Sequence, residues 1–337
     1  MSVQEKKYVE HAYAKINLAL DILGVRPNGY HELDMVMQQV SLCDTLTLKL
    51  LPEEFEVEMA ASGTETENPT LPGNVGGAGT SSVTEGRGNI YRMESCPNIY
   101  YRINREDLND PEKDLSCRAL KLLFEEFQIK SKVLLSVTKR IPVAAGLAGG
   151  SADAAAALKL ANRVFHLGLT NEQLQERGVK LGADVPYCIL GAAARARGIG
   201  EILDILPDVS GICILLVKPD YNVSTAWVYG EYDKKGAAKH PDVEQMISCI
   251  EQGQIARIPA LLGNVLETVT IPEYPVIERI KKKMCQLGAA NAMMSGSGPT
   301  VFGIYGNRSA AENAADNFRK EGYQEVFVTE PVRRTEA

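Results

Sequence analysis

The sequence predicts a two-domain α+β protein, because strands fill its beginning while helices and strands alternate later. The 337 residues exceed twice the roughly 150 residues of an average domain. A strand-first start also disfavours a Rossmann-type fold. The pattern changes near Pro207, so we expect domains spanning 1–206 and 207–337.

The first fifty residues contain the apolar, branched runs that are typical of strands. These runs span 12–23, 35–42 and 45–51. The turn cluster Arg26-Pro27-Asn28-Gly29 follows the first run, and Cys43-Asp44 separates the other two. We therefore expect three strands here.

Residues 62–89 are rich in Gly, Ser, Thr, Pro and Glu and contain almost no large apolar residue. Such a segment buries too little surface to offset the entropy lost on ordering. We expect a long, mobile surface loop there, within an inserted loop region spanning 62–110. Ile99-Tyr100-Tyr101 is either a short strand or a packed flap.

Apolar spacing predicts the remaining helices and strands. The predicted helices span 115–127, 151–165, 171–181, 242–252, 275–287 and 309–321. The predicted strands span 133–137, 212–217 and 325–329.

Composition limits the partners and the compartment. There are 43 acidic and 36 basic residues, so the net charge of −7 disfavours nucleic-acid binding. Seven scattered cysteines without a CxxC pair disfavour a disulfide framework and fit a reducing cytoplasm. No apolar run reaches the roughly 20 residues that cross a bilayer, and the amino terminus does not read as a signal peptide. We expect a cytoplasmic protein with no nucleic-acid or membrane partner.

The segment PVAAGLAGGSADAAA, residues 142–156, is the strongest candidate site. Small residues let backbone N–H groups approach a ligand, and a helix beginning at Ser151 adds the positive end of its dipole. This combination suits a phosphate group. It is not a Walker loop, because no Gly-Lys-Ser/Thr follows. The alternative is a loop of small residues that only allows close helix packing.

Three shorter segments are less specific by themselves. Lys15 and Asn17 share one face of a predicted strand, although a solvated edge strand would show the same pattern. Asp184, in LGADVP, is a general base or a helix cap, and the cap is favoured for the segment alone. Ser295 and Gly296, in MSGSGPT, lie either in a turn near a bound group or in a simple hairpin connection.

Taken in order, these segments resemble the GHMP kinase superfamily, and most closely its 4-diphosphocytidyl-2-C-methyl-D-erythritol kinase family. The resemblance spans about residues 12–328 and includes Lys139-Arg140-Ile141-Pro142 and Gly198-Ile199-Gly200-Glu201. Its most specific part is Asn28-Gly29-Tyr30-His31-Glu32, which other superfamily kinases lack. It implies a ribosomal-S5-like N-terminal domain, a ferredoxin-like C-terminal domain and an active site between them.

The resemblance also implies a reaction, in which ATP phosphorylates the 2-hydroxyl of the erythritol part of the substrate during non-mevalonate isoprenoid synthesis. Asp184 would accept the hydroxyl proton, and Lys15 would stabilise the developing alkoxide by its charge. The cofactors would be ATP and Mg²⁺, with the metal ligands left open and Ser151 as one candidate. The ATP phosphates would contact Pro142, Ala144, Ala145, Gly146, Leu147, Ala148, Gly149, Gly150, Ser151 and Ala152.

The pyrimidine of the substrate would need its own pocket. Tyr30 would stack on cytosine, His31 would hydrogen-bond its edge, and Tyr229 would close an aromatic sandwich. Asn17, Ser295 and Gly296 would complete the substrate site. The implied partner is a small molecule with a cytidine diphosphate group, bound by a monomer or weak homodimer.

Two alternatives stay open. Another GHMP kinase, acting on mevalonate, homoserine or a sugar, would share the phosphate loop but would hold no pyrimidine at residues 28–33. A non-catalytic GHMP-fold regulator would share the fold, although retention of both Lys15 and Asp184 argues against it. The chain also departs from the family at Ala144 and Ala145, where glycine is common; alanine is tolerated there if φ is negative.

Overall fold

The computed structural model describes residues 6–55 and 89–334. Apart from Asn89, the predicted loop at 62–89 lies outside the described residues. The strands are β1 (Lys7–Val25), β2 (His31–Leu50), β3 (Ile90–Arg92), β4 (Ile99–Ile103), β5 (Val133–Thr138), β6 (Ala193–Gly198), β7 (Ile202–Ile205), β8 (Cys213–Lys218), β9 (Gly263–Asn264), β10 (Asn291–Met294), β11 (Val301–Tyr305) and β12 (Glu325–Thr329).

The helices alternate with these strands. They are α1 (Leu115–Glu126), α2 (Gly149–Val164), α3 (Asn171–Gly178), α4 (Val185–Leu190), α5 (Thr225–Lys235), α6 (Val243–Glu251), α7 (Ile258–Leu261), α8 (Glu267–Glu273), α9 (Val276–Gln286) and α10 (Arg308–Lys320). The predicted helices are confirmed, with ends displaced by a few residues. Among the helices of the described ranges, none has the length and apolar character needed to cross a membrane.

The N-terminal half is built on one large sheet with the order β3-β4-β5-β2-β1-β9, in which β6 pairs with β2 and β7 pairs with β6. The helices α1 and α2 pack together, and α2 also packs on β1. The alanines at 154–157 are buried, so α2 lies close to its neighbours. This packing holds the first turn of α2 at a fixed place beside β1.

β2 is one continuous strand, so the predicted break at Cys43-Asp44 is wrong. Asp44 is fully buried, and its carboxylate accepts hydrogen bonds from the backbone N–H of Ile141 at 2.8 Å and from Lys139. A buried carboxylate with such partners is tolerated inside a strand. The polar residue Asp44 therefore wrongly suggested that the strand ends there.

The inserted region is also not wholly a loop. In its described part, β3 and β4 extend the large sheet, and β4 pairs in parallel with β5. Tyr100 and Tyr101 are fully buried on β4, so the strand interpretation of this segment is confirmed. The Tyr101 hydroxyl donates to Asp114 Oδ2 at 2.9 Å, and Asp114 caps α1.

The C-terminal half is built on an antiparallel sheet with the order β10-β11-β8-β12, with α9 and α10 packed on it. In chain order this is the strand arrangement of a ferredoxin-like fold, as the resemblance implies. β9 leaves this half and pairs with Ala19 and Leu20 of β1. The two halves therefore meet along the middle of β1.

Two arginines of β6 join surface elements. Arg195 binds both oxygens of Asp34 on β2, at 2.9 and 2.8 Å, and also Glu244 on α6 at 2.7 Å. Arg197 pairs with Asp204 on β7 at 2.8 Å. Arg195 thus connects the large sheet to the C-terminal half.

Candidate active site

A cleft of about 1180 Å³ lies where the two halves meet. Pockets that hold one drug-sized ligand usually measure roughly 300–1000 Å³, so this cleft lies just above that range. Most of the predicted site residues line it: Lys15, Asn17, Tyr30, His31, Pro142, Ala144, Ala145, Gly146, Leu147, Ala148, Gly149, Gly150, Ser151, Asp184, Tyr229 and Gly296. Ala152 and Ser295 are buried and do not line it.

Lys15 lies on β1 with its ammonium turned into the cleft. Its side chain is only 6% exposed, and its Nζ lies 2.8 Å from Asn17 Oδ1 and 3.9 Å from Asp184 Oδ2. The β1–β2 register shifts on both sides of this pair of residues, which re-aims side chains along a strand. The alternative of a solvated edge strand is therefore wrong.

Asp184 occupies the N-cap position of α4, but its side chain makes no capping hydrogen bond. The carboxylate instead faces Lys15, with 34% of the side chain exposed. The interpretation of Asp184 as a helix cap is therefore wrong. A partly exposed carboxylate beside an ammonium in a cleft is placed to accept a proton from a bound alcohol.

The loop before α2 has an unusual backbone. φ is +50° at Ala144, +74° at Gly146 and +56° at Ala148. The condition under which alanine is tolerated, a negative φ, is therefore not met at Ala144, and its left-handed conformation costs roughly 1–2 kcal/mol for a residue with a Cβ. The first turn of α2 lines the cleft, and no side chain caps that helix, so its first N–H groups are available to a ligand there.

Gly146 joins this loop to the C-terminal half. A Cβ at Gly146 would lie 2.2 Å from the Ser295 carbonyl oxygen, so only glycine fits. The Ser295 hydroxyl donates to the Gly146 carbonyl at 3.0 Å. Ser295 therefore helps to hold the loop in place through this hydrogen bond. Ser297, which the sequence did not indicate as a site residue, lines the cleft.

Aromatic residues line the other end of the cleft. The rings of His31 and Tyr229 are 4.7 Å apart, and Tyr30, which also lines the cleft, is 58% exposed. Burial raises the pKa of the Tyr229 hydroxyl, and the charge of Asp184 raises it further, so the phenol stays neutral. These rings form a surface on which a planar base can stack.

A buried charge cluster beneath the phosphate loop was missed as part of the site. Lys139 Nζ lies 2.6 Å from Asp153 Oδ2 and also contacts Asp44. Burial raises the pKa of the Asp153 carboxyl well above its usual value, although Lys139 opposes this shift. Both Lys139 and Asp153 belong to motif segments, which is the signal that could have identified them.

Comparison with known families agrees with the fold. The family described as GHMP kinases N terminal domain matches residues 114–192, and the family described as GHMP kinases C terminal matches residues 243–324.

Relatives that match over nearly the full length indicate a particular family within these kinases. The 4-diphosphocytidyl-2-C-methyl-D-erythritol kinase of Lachnoclostridium phytofermentans is 40% identical over 319 residues, covering 94% of this chain and 95% of the relative. The enzyme of the same name from Clostridium acetobutylicum is 38% identical over 321 residues, covering 95% and 99%. The chain belongs to this family of GHMP kinases. The family prediction is confirmed, and with it the prediction of a small-molecule kinase that uses ATP.

Solved structures agree. A crystal structure of 4-(cytidine 5'-diphospho)-2C-methyl-D-erythritol kinase is 25% identical with a TM-score of 0.70, covering 96% of this chain and 99% of that one. A homoserine kinase from Cytophaga hutchinsonii has a TM-score of 0.65 at 15% identity, covering 99% and 98%, which shows the shared fold alone.

Proposed function

We propose that this kinase transfers the terminal phosphoryl group of ATP to the 2-hydroxyl of 4-diphosphocytidyl-2-C-methyl-D-erythritol, in non-mevalonate isoprenoid precursor synthesis. The observation that carries the proposal is one cleft that holds the Lys15–Asp184 pair, a phosphate-type loop and an aromatic surface. The names of the full-length relatives support the same substrate.

Asp184 acts as the general base. Its carboxylate accepts the proton of the substrate hydroxyl as the oxygen attacks phosphorus. Lys15 Nζ, 3.9 Å from that carboxylate, stabilises the negative charge that develops on the attacking oxygen. Asn17 holds the ammonium in place through its 2.8 Å hydrogen bond. Phosphoryl transfer depends mainly on such positioning and charge stabilisation.

The loop at 142–151 holds the phosphates of ATP. The N–H groups at the start of α2 donate to phosphate oxygens, and the positive φ values at Ala144, Gly146 and Ala148 produce the turn that exposes them. Mg²⁺ is the proposed metal, and when bound it would neutralise phosphate charge. Mg²⁺ usually takes only one or two oxygen ligands from the protein when phosphates supply others. The Ser151 hydroxyl, which lies near Gly182 at the cleft, would be one such ligand.

The aromatic end of the cleft holds the cytosine. Tyr30 and Tyr229 stack on the base, and His31 binds its polar edge. Gly296 approaches Lys15 closely, since a Cβ there would lie 3.4 Å from Nζ, and so shapes the substrate side of the cleft. A domain division at residue 206, a monomer or weak homodimer and a cytoplasmic location stay predictions.

The decisive experiment is a coupled ADP-release assay with the cytidine diphosphate alcohol, its uridine analogue, mevalonate and homoserine. We expect turnover with the cytidine compound. Asp184→Asn and Lys15→Ala each lower kcat by at least about two orders of magnitude, the usual scale for loss of a general base. Asp204→Asn, an exposed carboxylate paired with Arg197 outside the cleft, is the matched control.

Each alternative has its own outcome. Preferred turnover of mevalonate or homoserine would identify a different GHMP kinase. Binding of the cytidine compound without ADP release would favour a regulator. Near wild-type turnover in Asp184→Asn, with the fold intact by circular dichroism, would refute the assignment of the base.

A further inference from the structure

We infer that Asp233 of α5 is a positioning residue that sets the hydrogen-bonding state of His31 and thereby the choice of cytosine over uracil. The inference rests on the proposed function, because it concerns the base pocket of that substrate. Asp233 lies outside every motif of the sequence, and it does not line the cleft itself. Its effect on the base would pass through His31.

The geometry joins the two residues directly. His31 Nε2 lies 2.7 Å from Asp233 Oδ1, although 202 positions separate them in the chain. The His31 side chain is 13% exposed and that of Asp233 is 45% exposed. The Tyr229 ring, from the preceding turn of α5, packs 4.7 Å from the imidazole. One helix thus supplies both a stacking ring and a hydrogen-bond partner to His31.

The contact decides which imidazole nitrogen carries the proton. An ionised carboxylate only accepts hydrogen bonds, so Nε2 must donate and carry the proton in the neutral ring. Nδ1 is then left with its lone pair. Among residues 6–55 and 89–334, Nδ1 of His31 has no hydrogen-bond partner, and the His31 side chain lines the cleft.

An acceptor at this position distinguishes the two pyrimidines. Cytosine carries an amino donor at ring position 4, whereas uracil carries a carbonyl acceptor there. Nδ1 with a free lone pair accepts a hydrogen bond from the cytosine amino group. Facing the uracil carbonyl, which is also an acceptor, it can form no hydrogen bond. Without Asp233 the ring can take the other tautomer, in which Nδ1–H donates and suits uracil. A fixed tautomer is therefore a specificity device.

The kinetic test compares Asp233→Ala and Asp233→Asn with the wild-type enzyme, using the cytidine diphosphate alcohol and its uridine analogue. We expect the kcat/KM preference for cytidine to fall about tenfold in Asp233→Ala, the scale of one ordinary hydrogen bond. The loss should lie in KM for the cytidine substrate, with kcat nearly unchanged, because Asp233 does not reach the reacting atoms. Asp233→Asn retains a hydrogen-bond acceptor, so its preference for cytidine should lie between those of the wild type and Asp233→Ala.

Glu231→Gln is the matched control, since Glu231 lies on the same helix and pairs only with the exposed Lys234 and Lys235 among the described residues. A purely structural role of α5 would lower turnover of both substrates equally and leave their ratio intact. An unchanged ratio in Asp233→Ala, with the wild-type enzyme active on the cytidine compound, would overturn the inference and leave the proposed function standing.

A spectroscopic measurement tests the tautomer without any substrate. The sequence has four histidines, so ¹⁵N-labelled histidine signals can be assigned to His31 by comparison with His31→Gln. At about pH 8, where an ordinary histidine is neutral, we expect the Nε2–H form in the wild type and a mixture in Asp233→Ala. The Nδ1–H form in the wild type would overturn the inference. If the wild type releases no ADP with the cytidine compound, the proposed function fails, and this measurement still decides the Asp233–His31 contact.

Discussion

Replacing Lys139 by methionine removes the cation that lies between two buried carboxylates. Lys139 is 7% exposed and sits between Asp153 and Asp44, whose side chains are 3% and 0% exposed. Methionine keeps most of the length of the lysine chain but leaves two carboxylates without their partner. Breaking a buried ion pair by removing one partner costs about 3–5 kcal/mol.

The lower end of that range is expected for Lys139→Met. Burial already raises the pKa of Asp153, so this carboxyl can take up a proton and relieve the repulsion. We therefore expect a loss of about 3 kcal/mol in the free energy of unfolding. Asp153→Asn alone should cost about 1–2 kcal/mol, because Lys139 keeps Asp44 as a partner.

Urea unfolding, followed by circular dichroism and by the fluorescence of Trp227, measures these losses. The double variant Lys139→Met with Asp153→Asn should be less destabilised than the sum of the single variants, since it buries one carboxylate fewer than Lys139→Met. A loss below about 1 kcal/mol for Lys139→Met, or strict additivity in the double variant, would refute the description of the cluster as a coupled unit.

The same cluster of Lys139, Asp153 and Asp44 predicts how the stability of the fold changes with pH. Asp153 keeps its proton to higher pH in the folded than in the unfolded chain, so its contribution is present at low pH and is lost as pH rises through the raised pKa. Burial lowers the pKa of Lys139, but the charges of Asp153 and Asp44 outweigh it and raise that pKa. Stability therefore falls as pH rises above the usual carboxyl pKa toward the raised pKa of Asp153, and falls again above the usual lysine pKa for Lys139. Asp153→Asn should flatten the first of these falls in the profile measured by urea midpoints.

Three further predictions concern the phosphate loop and the insertion. Gly146→Ala should raise KM for ATP at least about tenfold, because the new Cβ would meet the Ser295 carbonyl and displace the loop; an unchanged ATP titration would contradict this. Ala144→Gly should raise the free energy of unfolding by about 0.5–1 kcal/mol by relieving the positive φ, and a lower melting temperature would count against it. Deletion of residues 62–89 should leave the melting temperature nearly unchanged, as its composition predicts; a large drop would show that the segment is packed.

The sequence predicted the elements whose signal is local. The apolar spacing of 115–127 and 171–181 placed α1 and α3 to within a few residues, because helical periodicity is a local signal. The same local reasoning wrongly predicted a break at Asp44, since the hydrogen-bond partners of its carboxylate lie about a hundred residues further along the chain. A buried charge cannot be recognised until its partner is known.

The phosphate loop was recognisable from its own residues, but the meeting of Lys15 with Asp184 was predictable only through the resemblance. Lys15 and Asp184 belong to different elements, and no spacing rule connects a strand residue with the start of α4. Asp233 had no signal of any kind, because an acidic residue near the end of an exposed helix usually only meets solvent. Its contact with His31 depends on how the two halves of the chain meet, which the sequence pattern does not encode.

The distribution of charge around the phosphate loop predicts that Lys139 does not take over the proposed role of Lys15. Lys139 also lines the cleft, but its ammonium is bound to Asp44 and Asp153, so the cluster carries no net positive charge toward a phosphate. In the proposed reaction, attraction for the transferred phosphoryl group would therefore come from the N–H groups of α2 and from Lys15, whose 3.9 Å separation from Asp184 is too long for a close ion pair. Lys15→Ala should consequently stay inactive even though Lys139 remains, and its activity should not recover when Asp153 is changed to Asn.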